Sequence, residues 1–107
     1  MFNFNSFLET LREDLGNLAM DFGEDFKDDL VEAGSDLVNN TREDLERWTR
    51  QYAEGDLSKE DFKFLLKGRK DLAELEALKQ KGLTQIRIDE LKDAVVDTII
   101  GSVRKGF

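Results

Sequence analysis

Between Phe4 and Phe26 an apolar side chain recurs every three or four positions: Phe4, Phe7, Leu11, Leu15, Leu18, Phe22 and Phe26. The mean step is about 3.7 residues, close to the helical period, so these side chains share one face of a helix. A strand would need a period of two, and no such alternation competes. Around that oily face the chain is acidic. Ten carboxylates lie between Glu9 and Asp36 against only Arg12 and Lys27, giving −8, which is the net charge of the whole chain. The remainder is therefore balanced.

Three or four helices are expected. Ser6 followed by Glu9, Thr41 by Asp44, and Ser58 by Asp61 each have the spacing of an N-cap with an acid three residues on. The first helix is read as about 7–38 and the second as about 42–54; Gly34-Ser35 and Asn39-Asn40 are the places expected to kink or stop, with the break placed near 39–41. The apolar stripe also continues in register through Leu30, Ala33, Leu37, Leu45, Trp48 and Tyr52, which would suit one very long helix. Its period is that of an eleven-residue repeat, straight or with a slight right-handed supercoil.

Ala53 to Leu57 reads as a turn, with Gly55 free to take a left-handed cap. A third helix is expected over about 59–81, ended by Lys79, Lys81 and a capping Gly82. Thr84 opens a fourth, about 85–104, with Ile88, Leu91, Val95, Ile99 and Val103 on one face, widened by Val96 and Ile100. The short connection predicts that the last two helices form an antiparallel hairpin.

Composition narrows function by exclusion. There is no Cys, hence no thiolate or disulfide, and no His, the most versatile general base and metal ligand. No catalytic residue, cofactor or metal site is nominated, and an enzyme is not expected. The acidic balance disfavours nucleic acid. No apolar run is long enough to span a membrane, and the start, Met1 to Asn5, does not resemble a signal peptide, so a cytoplasmic location is expected.

Individual motifs reduce to local structure. Asp21-Phe22-Gly23 spells a kinase magnesium motif without any of its companions. Glu54 to Phe62 resembles the second half of a calcium loop, but Arg50 and Tyr52 would stand where oxygen ligands belong. Glu24, Asp25, Asp28, Asp29, Glu32 and Asp36 read as a solvated face or an acidic strip for a basic partner. Trp48 and Tyr52 read as a bundle end. The cations Lys59, Lys63, Lys67, Arg69 and Lys70 are expected to pair with carboxylates of the first helix.

The expected fold is thus all-α, with three or four amphipathic helices: a long acidic N-terminal helix and a C-terminal helical hairpin. A first helix of that length overhangs its partners, so a self-associating bundle is expected. Its candidate interface is Phe4, Phe7, Leu11, Leu15, Leu18, Phe22, Phe26, Leu30, Val95 and Ile99. The corresponding function is a non-catalytic scaffold or interaction module forming a homo-oligomer. The alternative is an amphipathic binder of lipid surfaces or small hydrophobic ligands. The eleven-residue period is shared with apolipoprotein-type helices, but only Arg12 and Lys27 could flank the apolar face as interfacial cations do.

Overall fold

Asn3, one turn earlier than Ser6, opens the first helix: its Oδ1 accepts the Ser6 backbone N–H at 3.1 Å. The computed structural model describes residues 3–105, and α1 runs Phe4–Phe22. At Gly23 the backbone takes φ 129° and ψ 129°, a conformation that a Cβ closes to other residues. A short 3-10 turn, Glu24–Phe26, then leads into α2, Lys27–Asn40. The single helix expected over 7–38 is therefore two helices folded back on one another. Gly23 permits the reversal. The apolar stripe rewards it, because each arm covers the oily face that a straight rod would leave in water. The arms close tightly: a Cβ at Gly34 of α2 would stand well inside van der Waals contact distance of Leu15 Cδ1 on α1.

The break expected at 39–41 is present. Thr41 leaves helical geometry at φ −113° and ψ 17°, and α3 follows as Arg42–Ala53. Thr41 does not cap it, however. Its hydroxyl donates back to the Leu37 carbonyl at 2.6 Å, which satisfies a hydroxyl that is otherwise buried. Gly55, at φ 83°, turns the chain, and the N–H groups of Asp56 and Leu57 both donate to the Gln51 carbonyl. Ser58 Oγ accepts the Asp61 N–H, opening α4, Lys59–Lys67.

The third expected helix also divides. Beyond Gly68 and an extended Arg69 the chain forms a twelve-residue 3-10 helix, Lys70–Lys81. Such runs rarely exceed a turn. The cause lies in Leu72, Leu75 and Leu78, all buried. Their spacing of three stacks them on one line of a helix with three residues per turn, whereas an α-helix would fan them across about 120°. Gly82, at φ 102°, closes the segment, and Thr84 Oγ1 accepts the Arg87 N–H at the start of α5, Gln85–Lys105.

Four rods line the core: α1, α2, the 3-10 helix and α5, each packed on the next and α5 again on α1. Their side-chain pairs show antiparallel neighbours. Asn40 meets Asp71 at one end of the α2 seam, and Lys81 meets Asp29 at the other. Asp14 of α1 meets Ser102 and Lys105 near the end of α5. The α3–α4 pair connects the second rod to the third, and Phe62 seats Trp48 and Tyr52 edge-on at 6.5 and 5.5 Å. The radius of gyration is 13.3 Å, close to the roughly 13 Å expected of a compact chain of this length. The described residues contain no strand, and none of their helices is long and apolar enough to cross a membrane.

Candidate interaction surface

Sequence reasoning nominated ten residues for contact with a second copy, and the structure turns them inward. Phe7, Leu11, Leu15, Leu30, Val95 and Ile99 have no exposed surface within one chain, and Phe4 retains 6%. Leu18, Phe22 and Phe26 are half-buried against the same core. Two rim phenylalanines are further covered by guanidinium groups, Arg42 over Phe4 and Arg87 over Phe22, each 4.4 Å from the ring centroid. The hairpin at Gly23 removes the overhang from which an exposed stripe was inferred. Among the described residues three large apolar side chains do face water, Met20, Phe64 and Ile86, each on a different helix. No periodic signal marks them, since each stands alone on a polar face.

What the hairpin exposes is charge. Of the ten carboxylates between Glu9 and Asp36, two have a cation within ion-pair distance. Asp14 is met by Lys105 at 3.0 Å and Asp29 by Lys81 at 2.6 Å. The other eight are Glu9, Glu13, Asp21, Glu24, Asp25, Asp28, Glu32 and Asp36, and none has a cationic partner among the described residues. Two members of the cation cluster expected to serve them are engaged elsewhere, and Lys59, Arg69 and Lys70 form no ion pair among the described residues. Lys63 pairs with Asp97 at 2.9 Å and Lys67 with Asp93 at 2.7 Å. Antiparallel packing of α4 on α5 sets lysines four apart opposite aspartates four apart, and this local register outcompetes the remote acidic helix. Such exposed pairs are each worth only ~0–1 kcal/mol, so they set register more than stability.

The 3-10 helix separates the two electrostatic regimes. Glu74 faces α2, where its carboxyl is raised above the usual carboxylate range. Partial withdrawal from water is the first cause and the adjoining Asp36 the second, with Asp71 and Glu32 adding to it. Glu76 faces α5 and is lowered to about 2, chiefly by a hydrogen bond from Lys92 and another from the Gln85 amide. One flank of a single helix is thus crowded with like charge while the other is neutralised.

No three carboxylates among the described residues converge as a metal ion would require. The calcium-like run 54–62 is a turn followed by the capped start of α4. Asp21-Phe22-Gly23 is the end of α1 and its hinge. Shallow grooves lie beside α4 and between α1 and α5, the latter about 340 Å³ and bordered by Leu18, Gly101, Asp21 and Lys105. Comparison with protein-family models, curated proteins and solved structures found no match to this chain.

Proposed function

We propose that this chain is a non-catalytic interaction module whose outer face on the α1–α2 hairpin docks a lysine- or arginine-rich segment of another protein. The observation that carries the reading is the set of eight carboxylates without a cationic partner among the described residues, on a hairpin whose apolar stripe is turned toward the core. A surface of one sign steers an oppositely charged partner and repels a second copy of itself. The raised carboxyl of Glu74 supports the reading: after partial withdrawal from water, crowding with Asp36 opposes ionisation, and a bound cation would relieve that second part. Self-association or lipid binding through the stripe would instead require the hairpin to open at Gly23.

Titration of the protein with a lysine-rich peptide, and with an acidic peptide of equal length, tests the proposal. The basic peptide is expected to bind, with affinity falling steeply as salt rises and falling again when Asp25, Asp28 and Glu32 are replaced by Asn, Asn and Gln. Equal binding by those variants would refute the docking face. Light scattering across a tenfold concentration range separates this from self-association, since a stable dimer would return the stripe or an exposed apolar residue to consideration.

A further inference from the structure

Arg69 occupies the extended link between α4 and the 3-10 helix, and it is the unclaimed cation of a groove about 380 Å³ in volume. Leu72 and Ala73 line the groove beside it, and α5 supplies Asp89, Lys92 and Asp93. The other charges are committed. Lys67 holds Asp93 at 2.7 Å, Lys92 holds Glu76, and Asp89 accepts the Gln85 amide at 2.9 Å. Among the described residues Arg69 has no carboxylate partner, and its Nε is enclosed by protein without an acceptor. A guanidinium cannot shed its charge, and enclosure of Nε fixes its plane in advance of any ligand. In a chain of net charge −8, this guanidinium stands without a counter-charge beside Ala73 and the exposed edge of Leu72.

We infer that this groove binds a small monocarboxylate, its carboxylate on the Arg69 guanidinium and its short apolar body on Leu72 and Ala73. The planar fork of a guanidinium matches the two oxygens of a carboxylate. One negative charge is admitted and a second is not, because Asp89 and Asp93 border the same groove. The site is separate from the acidic hairpin and does not depend on its role.

The test is a titration of the ¹⁵N-labelled protein with propionate, propionamide and inorganic phosphate, the last at a pH where it is a dianion. Propionate should give saturable shifts in the Arg69 Nε–H and in the amides of 67–73 and 89–93, while propionamide gives none and phosphate binds more weakly. Arg69→Gln should weaken propionate about tenfold or more, as loss of a charge-assisted hydrogen bond does. Asp89→Asn should tighten it. That variant leaves the α4 link intact and decides the matter if Arg69→Gln fails to fold. Absence of saturable shifts, an equal response to propionamide, tighter binding of phosphate, or weaker binding in Asp89→Asn would each overturn the assignment.

Discussion

Glu74 and Glu76 stand two residues apart on one helix, and their carboxyls are displaced in opposite directions. Three residues per turn place them on different flanks. Toward α2, Glu74 finds Asp36, Asp71 and Glu32; toward α5, Glu76 finds Lys92 and Gln85. Residue type and local structure are the same; withdrawal from water raises Glu74 first and its acidic neighbours add to it, whereas at Glu76 the hydrogen bonds from Lys92 and Gln85 outweigh that penalty. On the α5 flank, charge helps to hold the rods in register. On the α2 flank Lys81–Asp29 and Asn40–Asp71 join the two ends, and between them charge is left over, against which apolar packing must hold the seam. A surplus that contributes nothing to the fold is free to serve an encounter with another molecule.

Breaking both flanks together should have the largest effect. Leu75→Ala removes the central buried leucine of the 3-10 helix, with an expected loss of about 2–5 kcal/mol in urea denaturation. Displacing α2 from α1 comes next. Gly34→Ala gains up to ~1 kcal/mol in helix propensity, but overpacking against Leu15 costs about 1–3. A net loss on the order of 1 kcal/mol is expected, and a thermal scan showing stabilisation would mean that Leu15 moves aside freely.

The comparison is sharpened by neutralising each glutamate. Glu76 is depressed in the folded protein, so its contribution is present above an unfolded value near 4.5 and is lost as pH falls toward about 2. Glu76→Gln should therefore lower the melting temperature at pH 7. Glu74 is raised, so ionising it opposes folding at pH above its shifted value, and the penalty disappears as pH falls through that value to the unfolded one. Glu74→Gln should raise the melting temperature slightly at pH 7 and leave it unchanged in acid. Melting curves at the two pH values check both signs, and variants that shift together would erase the distinction between flanks. The smallest effect is expected from salt. Screening should modestly stabilise the wild-type protein, because unpaired carboxylates dominate its surface.

Helices with their own boundary signals could be read from the residues alone. α5 begins at Gln85 as the Thr84 cap predicts and carries the expected buried face of Ile88, Leu91, Val95 and Ile99. α3 also begins at Arg42, although Thr41 does not cap it, and ends within one residue of expectation. The hairpin at Gly23 was not legible, because an apolar period is the same whether its two halves continue or fold together. There Gly23 reads as a small propensity cost, while its backbone conformation makes it the hinge.

The 3-10 helix did leave a trace. Leucines at 72, 75 and 78 repeat at three, and the neighbouring Phe62, Leu65 and Leu66 invited an α-helical reading. The acidic strip was visible as composition. The engagement of Lys63 and Lys67 by Asp97 and Asp93 was not, since it depends on the packing of α4 against α5. Nothing local distinguishes Arg69 from the cations beside it.

Twelve residues of 3-10 helix rise about 24 Å, slightly more than the roughly 21 Å of the fourteen-residue α2. That side of the barrel of helices is consequently a thin wall, stretched over its length with three buried leucines where α5 brings eight buried residues. Local opening should begin there, and amide hydrogens over 70–81 should exchange with solvent well before those of α5. A basic partner lying across the α2 flank would rest on that wall, and its arrival would be recorded as slowed exchange in the 3-10 segment.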